Sequence, residues 1–298
     1  MFDQQVINAL LSMASPDATG YTNTLLPQVK LYTFSEYQAA CPLLYDSGLF
    51  FVLQGKKRGQ VAGQQFATSP EHFLVLSNTM PVECETLARP ESPMVGLYVA
   101  FDREEVSRQV HLMQNNEKTA NMALDKLDLK VVTHLPMTTQ LASSVSALAE
   151  RLGDDIGLNI LGPGLLAQIY YEVLAHPVGF SILKQWVSAD GKFSAIAQAI
   201  EYMQTHLVKR LSVDELAMQV GLSVSAFHHH FKQVTGISPL QYLKQLRLVR
   251  AKDLLVQQKQ SASQAAYDVG YESPNQFSRE FKRYFGVPPS QAHSLPYS

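Results

Sequence analysis

Cysteine is almost absent from this 298-residue chain, which contains only Cys41 and Cys84. Two thiols 43 positions apart cannot form a four-cysteine zinc site, and they are typical of reduced thiols rather than of a disulfide. Long apolar runs are also lacking, since no stretch reaches the roughly 18 residues that a membrane span requires. The first residues, MFDQQVINALLSMASPDATG, lack the basic segment of a secretory signal. These absences predict a cytoplasmic protein.

The motifs of common enzyme classes are missing as well. The segments QGKKRG and GQVAGQQ do not have the spacing of a phosphate-binding loop. Paired catalytic carboxylates and a Ser-His-Asp order cannot be identified either. We therefore predict neither catalytic residues nor a cofactor.

Charge is distributed unevenly along the chain. Residues 194–298 hold six lysines and five arginines against three aspartates and four glutamates, a net charge of +4, whereas residues 1–193 carry −6. A basic C-terminal third in a chain whose remaining residues are acidic indicates that the C-terminal third binds a polyanion. The length of the chain and its 46% hydrophobic residues predict two domains with sizeable cores.

The N-terminal half contains β-rich segments at strand-like spacing between about 28 and 101. They are VKLYTF, LFFVLQ, GQVAG, HFLVLS, VECETL and MVGLYVAF, and turn residues separate them. This pattern is typical of a sandwich or small barrel. Four apolar positions are predicted to line either a pocket or a plain core: Phe50, Val52, Leu74 and Leu76. The run Lys56, Lys57 and Arg58 is expected to be a solvated basic loop.

After Phe101 the apolar residues recur at the spacing of a helix rather than of a strand. Asp102 is predicted to cap a helix that begins at Arg103. Residues 138–152 place Leu141, Val145, Leu148 and Leu152 on one helical face, and 165–175 form a second apolar helix that His176-Pro177 ends. Residues 177–193 are the best candidate for a linker.

A helical unit occurs twice in the C-terminal third. Four positions recur 49 residues later and four recur 50 residues later, as in Gly221 with Gly270 and Phe231 with Phe281. In each copy, a capping box is predicted to start the first helix: Ser212-x-x-Glu215 in the first copy and Ser261-x-x-Gln264 in the second. A turn with glycine then leads to a second helix. This is the pattern of a helix-turn-helix, and a plain helical hairpin is the alternative.

The run His228, His229 and His230 lies on the second helix of the first copy. Successive helical residues point about 100° apart, so three in a row cannot converge on one metal ion. Because Phe227 and Phe231 must face the core, His228 and His229 are expected on the outer side, which a helix-turn-helix offers to the major groove. A solvated face without function is the alternative interpretation.

The second copy presents different side chains at the equivalent outer positions: Asn275, Gln276, Arg279 and Lys282. Asparagine and glutamine can bond bidentately to adenine, and arginine to guanine. Asn275 and Arg279 are therefore better candidates for base reading than the histidines. Arg247 and Arg250, on the helix between the copies, are expected to brace the two units or pair with acids as readily as to contact phosphate.

Residues 194–293 resemble the AraC/XylS family of bacterial transcription regulators. The resemblance is carried by GYESPNQFSREFKRYFGVPP, by ISPLQYLKQLRLVRAKDLL and by the doubled unit. It implies that both second helices enter successive major grooves of double-stranded DNA. The positions implied to face bases are Ser225, His228 and His229 in the first unit and Pro274, Asn275 and Arg279 in the second, where Pro274 departs from the pattern because it has no side-chain hydrogen bond to offer.

The N-terminal part resembles the cupin-like sensor domain of one subgroup of that family, through LYDSGLFFVLQGKKRGQVAG, HFLVLSNTMPVECETLA and ILGPGLLAQIYYEVLAHPVGFSI. This resemblance implies a small β-barrel that holds an effector without performing chemistry, helices that mediate homodimer contacts or domain docking, and RNA polymerase as a partner if the regulator is an activator.

Together these observations predict an α+β chain of two domains. A cupin-like sensor domain covers 1–185, with the barrel at about 28–101 and helices at about 102–175. A linker at 186–193 leads to an all-α DNA-binding domain at 194–298, with helix-turn-helix units at about 212–236 and 261–286. Base reading is assigned to Ser225, His228, His229, Asn275, Gln276 and Arg279, and phosphate contact or positioning to Ser212, Lys232, Ser261, Ser273 and Lys282.

Two other functions compete with this prediction. A metal-dependent cupin enzyme needs several histidines, usually in an H-x-H core, whereas the predicted barrel has only His72. A DNA-repair regulator that transfers alkyl groups to cysteine needs four zinc-binding cysteines, and the chain has two.

Overall fold

The structure is a computed structural model. It describes residues 2–15, 21–61, 63–117, 119, 122, 132–188 and 192–295. Within these ranges, a region rich in β-strands is followed by helices, which confirms the α+β class with a helical C-terminal part.

Ten strands form two antiparallel sheets in the described N-terminal part. The strands are β1 (Tyr21–Asn23), β2 (Val29–Phe34), β3 (Gln38–Tyr45), β4 (Gly48–Gln54), β5 (Lys56–Val61), β6 (Gln64–Thr68), β7 (His72–Leu76), β8 (Met80–Leu87), β9 (Met94–Ala100) and β10 (Val132–Pro136). One sheet has the order β1-β2-β9-β4-β7-β10 and the other β3-β8-β5-β6. We call the two sheets together the sheet domain. Its apolar interior includes the fully or nearly fully buried Phe50, Val52, Leu74 and Leu76.

The four strands that the sequence did not predict, β1, β3, β6 and β10, are the edge strands of the two sheets. β3 contains Pro42, and proline in a sheet is confined to edges and bulges because it cannot donate to the ladder. β6 is the opposite edge of the same sheet, and its QQFAT segment shows no apolar alternation. An edge strand pairs on one side only, so its pairing partner defines it more than an apolar pattern of its own.

The expected basic loop at 56–58 is wrong. These residues open β5, which pairs with β6 and β8. Strand alternation leaves Lys56 and Arg58 exposed, but it turns Lys57 inward, where only 7% of the residue is exposed.

The described ranges contain eleven α-helices. They are α1 (Gln4–Met13), α2 (Arg103–Gln114), α3 (Thr139–Arg151), α4 (Asp155–Leu174), α5 (Pro177–Val187), α6 (Lys192–Thr205), α7 (Val213–Gln219), α8 (Val224–Thr235), α9 (Pro239–Val256), α10 (Ala262–Asp268) and α11 (Pro274–Phe285), followed by a 3₁₀ helix at Pro289–Ser294. Asp102 caps α2 through its side chain, as predicted. The predicted face of α3 is buried at Leu141, Val145 and Leu148.

The expected linker at 177–193 is wrong over 177–187, which form α5, and over 192–193, which open α6. Pro177 ends one helix but also opens the next, where its missing N–H costs nothing. The His176 side chain caps α5 by accepting from the Val178 N–H at 3.2 Å, and Phe180 and Leu183 are fully buried. Between α5 and α6, residues 189–191 of the predicted 186–193 linker lie outside the described part of the chain.

The long helix α9 joins the C-terminal helices to the sheet domain. Its Tyr242 is fully buried, and the hydroxyl donates to the backbone carbonyl of Thr79 in the turn between β7 and β8. Farther along α9, the Lys252 ammonium lies 3.9 Å from the Cys41 sulfur on β3. The C-terminal helices are thus held against one edge of the sheet domain.

Candidate nucleic-acid interface

The first helix-turn-helix unit consists of α7 and α8. The Ser212 hydroxyl accepts from the Glu215 N–H at 3.1 Å and starts α7. Gly221 turns the chain with φ +66°, a left-handed conformation that favours glycine, and Ser223 caps α8. Gly236, with φ +77°, ends α8.

The second unit repeats this construction in α10 and α11. Ser261 and Ser273 cap the two helices, and Pro274 occupies the first turn of α11. The turn and the final cap are again glycines with positive φ, Gly270 at +85° and Gly286 at +81°. The repeat seen in the sequence is therefore a repeat of caps and turns in the structure.

The predicted capping boxes are only half formed. Ser212 and Ser261 make the serine half, but Glu215 and Gln264 do not return the bond. Glu215 accepts instead from the Tyr202 hydroxyl at 3.3 Å, and Gln264 donates to Asp268 at 2.7 Å. A complete capping box occurs at the start of α9, between Ser238 and Gln241, where none was predicted.

Four phenylalanines fix the inner faces of α8 and α11. Phe227, Phe231, Phe277 and Phe281 are fully buried, and in each helix the two rings lie 5.5 Å apart. The Phe231 ring also meets the Tyr242 ring of α9 at 5.4 Å. Because these rings set the rotation of each helix, the opposite faces are turned to solvent.

The outer faces carry the side chains that we assigned to base reading. All six are exposed: Ser225, His228 and His229 on α8, and Asn275, Gln276 and Arg279 on α11. We call these six residues the reading ridges. Among the described residues, Arg279 and Asn275 have no hydrogen-bond or salt-bridge partner, so both side chains can turn to a ligand.

Gln276 is less free than its neighbours on α11. Its amide donates to Glu280 at 3.3 Å, and Glu280 also accepts from Lys244 on α9 at 2.9 Å and from Tyr271 at 2.9 Å. Partial burial raises the pKa of Glu280, but these bonds outweigh it and leave the pKa below its ordinary value. This cluster could not be predicted from the sequence, because Lys244 and Glu280 are 36 positions apart and show no periodic relation.

The candidates for phosphate contact fall into two groups. Ser212, Ser261 and Ser273 use their oxygens to accept from backbone N–H groups at helix starts, which leaves each hydroxyl hydrogen available. Lys232 and Lys282 are exposed near the ends of α8 and α11. All five positions therefore lie on the same helices as the reading ridges or on the helices that precede them.

Arg247 braces the first unit. Its guanidinium donates to the carbonyl oxygens of Leu207 at 3.0 Å and Lys209 at 2.7 Å, in the segment between α6 and α7. Arg250 approaches Asp253 at 4.0 Å on its own helix. Both outcomes match the bracing and acid-pairing roles that we considered for these arginines.

Two further features of the described residues concern metal ligands and long apolar helices. Within them, no three His, Cys, Asp or Glu side chains are grouped to hold a metal ion. The His72 ring stacks on His134 of β10 at 4.4 Å, and burial lowers the pKa of His134. No helix in the described ranges is both long and apolar enough to cross a membrane.

Two known domain families match the chain. The family described as "AraC-type transcriptional regulator N-terminus" matches residues 25–180, and the family "Helix-turn-helix domain" matches residues 216–294. The first match covers strands β2 to β10 with helices α2 to α4, and the second begins within α7 and includes α8 to α11.

Curated relatives are similar to the chain at low identity. The lactose operon transcription activator of Staphylococcus xylosus is 23% identical over 246 residues, which is 82% of each chain. The transcriptional activator RhaS of Escherichia coli is 27% identical over 164 residues, 55% of this chain and 58% of RhaS. The match to RhaS thus spans little more than half the length of that relative.

Solved structures share the fold over nearly the whole chain. ToxT of Vibrio cholerae with a bound unsaturated fatty acid has a TM-score of 0.61 at 12% identity, and covers 95% of this chain and 98% of ToxT. ToxT without ligand has a TM-score of 0.58. At this identity the likeness concerns the fold alone.

Proposed function

The chain belongs to the AraC-type transcriptional regulators, and we propose that its two reading ridges contact base edges in successive major grooves of a bacterial promoter. In this proposal the protein acts in the cytoplasm, on the nucleoid. The observation that carries the proposal is the orientation of α8 and α11, whose phenylalanines are buried and whose polar faces are exposed.

The proposal assigns separate tasks to separate side chains. Asn275, Gln276 and Arg279 read bases from α11, and Ser225, His228 and His229 read them from α8. The capping serines 212, 261 and 273, together with Lys232 and Lys282, contact phosphates and set the register. Pro274 lies at the N-terminus of α11, where it offers apolar contact rather than a hydrogen bond.

Substitution of Arg279 tests the base-reading role. We expect Arg279→Ala to weaken binding to the specific site by about 1–3 kcal/mol and to relax the preference at one base pair. Arg151→Ala serves as the control, because it removes another exposed arginine from α3, far along the chain from the ridges. The measurement is a titration against the specific site, single-base variants and random DNA; an equal loss on all of them would contradict base reading by Arg279.

A small-molecule effector in the sheet domain is the second part of the proposal. Its support is the match to the AraC-type N-terminus and the shared fold with ToxT, which has been solved with an unsaturated fatty acid bound. An effector would act by favouring one arrangement of the domains over another. Mapping bound DNA across the genome with and without candidate metabolites would test this part and give the direction of regulation.

Two protein partners complete the proposal. Both curated relatives are named as activators, so RNA polymerase is the expected partner on DNA. A second copy of the chain is the expected partner of α4, which exposes 74% of Ile156 and 72% of Ile160, one helical turn apart. Sedimentation should show a dimer that Ile160→Glu dissociates; a monomer at all concentrations would contradict the dimer.

We propose no enzymatic activity, since the relatives that match are named as transcription activators. Metal analysis of the purified protein distinguishes this proposal from a metal-dependent cupin enzyme. A stoichiometric transition metal would favour the enzyme.

A further inference from the structure

Lys57 is a charged side chain in the interior of the sheet domain. It is the second residue of β5, and its neighbours Lys56 and Arg58 are exposed on the other face. Arg58 pairs with Glu85 of the adjacent strand β8, and Gln60 bonds to Glu83 of the same strand. The acids near β5 are therefore engaged on the outer face, while Lys57 points inward.

The described surroundings of the Lys57 ammonium contain no carboxylate partner. Its Nζ donates to the Tyr45 hydroxyl at 2.7 Å. Three aromatic ring centroids lie around it, those of Tyr32 at 5.1 Å, Tyr45 at 5.3 Å and Phe34 at 5.4 Å. The part of the chain that the structure describes places no carboxylate within 4.0 Å of this nitrogen.

Such an ammonium is only partly compensated. Removing a charge from water is costly, and the contacts of Lys57 are one neutral hydrogen bond and three aromatic rings, none of which carries an opposite charge. Burial accordingly lowers the pKa of Lys57, while the nearby Cys84 opposes this shift. A buried amine without an acid partner is stabilised when an anion enters its site.

The rings around Lys57 define what kind of anion fits. The Phe50 ring lies 4.7 Å from that of Tyr45 and 4.8 Å from that of Tyr98, which makes the interior next to the ammonium apolar and aromatic. Phe34 and Tyr21 are only half-buried, so this group of rings reaches the surface on their side. The Tyr21 ring lies 5.9 Å from that of Tyr32, and we call Lys57 with Tyr21, Tyr32, Phe34, Tyr45 and Phe50 the aromatic cage. Because its rings are packed against one another, a ligand has to displace at least one of them.

We propose that the aromatic cage binds an organic carboxylate with an apolar body, and that Lys57 is the counter-charge of its carboxylate. The inference rests on the proposed effector function of the sheet domain and names the class of effector. In the complex, a carboxylate oxygen accepts from Nζ in place of, or beside, the Tyr45 hydroxyl. The apolar body of the ligand packs against the aromatic rings of the cage. Ligand sites are commonly apolar in this way, with a few polar groups that set the orientation of the ligand.

Thermal denaturation without ligand separates a binding lysine from a structural one. Lys57→Met keeps the length of the side chain and removes the charge, so we expect the melting temperature of the unliganded protein to rise by about 2–4 °C. Lys56→Met, on the exposed neighbour, is the control and should leave it unchanged. A fall in melting temperature for Lys57→Met would show that the ammonium stabilises the fold by itself, and would overturn the proposal.

Ligand titration tests the class of anion. The probes are octanoate and 3-phenylpropionate, each compared with its neutral amide. We expect at least one acid to bind the wild-type chain at least about tenfold more tightly than its amide, and this preference to vanish in Lys57→Met and persist in Lys57→Arg. The proposal is overturned if neither acid binds, if acid and amide bind alike, or if Lys57→Met keeps the preference.

Binding of the specific DNA site by the same variants distinguishes this inference from the proposed function. Lys57→Met is expected to bind the site in the absence of acid as the wild type does, because Lys57 is remote from the reading ridges in the chain and buried in the sheet domain. Carboxylate binding with no specific DNA binding would refute the DNA-reading proposal alone. Specific DNA binding without carboxylate binding would refute the cage alone.

Discussion

At the residue scale, the inward and outward sides of the C-terminal helices could be predicted from single spacings. Phe227 and Phe231 are four positions apart, and both are buried, which leaves His228 and His229 exposed as expected. Lys57 could not be assigned in this way. A basic triplet indicates solvent unless the strand is known, and only the pairing of β5 with β6 and β8 turns the middle lysine inward.

The depressed pKa of Lys57 predicts a specific dependence of stability on pH. The group binds fewer protons folded than unfolded between its lowered folded pKa and the ordinary lysine value of about 10.4. The free energy of unfolding of the wild type therefore increases as the pH rises through that window. Below the window, Lys57 is charged in the folded protein and the whole cost of burying that charge remains. Lys57→Met lacks both effects.

Melting temperatures of wild type and Lys57→Met between pH 7 and 10 check this prediction. The advantage of Lys57→Met should be largest near neutral pH and should shrink as the pH rises. Burial raises the pKa of the neighbouring Tyr32 and Tyr45, so both hydroxyls stay protonated over this range in either protein. A difference that does not change with pH would contradict the lowered pKa.

At the element scale, the doubled helix-turn-helix could be predicted because the residues that start and end its helices are local signals. Serine caps, turn glycines and buried phenylalanines recur at fixed distances and require no knowledge of the rest of the fold. The return bonds of the capping boxes could not be predicted, because Tyr202 competes for Glu215 and Asp268 competes for Gln264. Edge strands β3 and β6 were missed for a similar reason, since their pairing partners and not their own patterns define them.

The two turn glycines differ in a way that the sequence repeat conceals. Gly221 and Gly270 both have positive φ, but a Cβ at Gly221 would meet nothing within 4 Å, whereas one at Gly270 would lie 2.5 Å from the Leu207 carbonyl oxygen. We expect Gly221→Ala to cost about 1–2 kcal/mol through backbone conformation alone. Gly270→Ala should cost about 2–5 kcal/mol, because the clash with a backbone atom is added.

Urea denaturation of the two glycine variants, followed by circular dichroism, measures this difference. Equal losses of stability would mean that the segment before α7 does not pack against the second turn as it does in the structure. Gly63→Ala is a useful reference in the sheet domain, because Gly63 has φ +78° and also nothing within 4 Å of its Cβ position.

At the scale of the whole molecule, the order of the two parts could be predicted and their docking could not. Composition, charge and period change along the chain and indicate a sheet-rich part before a helical one. The contact of Tyr242 with Thr79 joins residues 163 positions apart, and nothing in either local pattern indicates it. The family and its fold could thus be predicted from the sequence. The surface where α9 packs against the sheet domain could be seen only in the structure.

The Tyr242 hydroxyl provides a test of that docking. Tyr242→Phe leaves the Thr79 carbonyl without this donor, and we expect a loss of about 1–3 kcal/mol in the free energy of unfolding of the intact chain. Tyr267→Phe, at a half-exposed tyrosine of α10, is the matched control and should be neutral. If both variants melt alike, the hydroxyl does not contribute to holding α9 against the sheet domain.

Hydroxyl-radical footprinting of the intact protein, on a DNA site taken from the genome-wide mapping, shows whether both reading ridges enter the major groove. If both reading ridges enter the major groove, the wild type should protect two patches on one face of the DNA, about one helical turn of 10–10.5 bp apart. Arg279→Ala should lose protection selectively at the patch that α11 covers. A single protected patch, or uniform weakening of both patches by Arg279→Ala, would contradict the account.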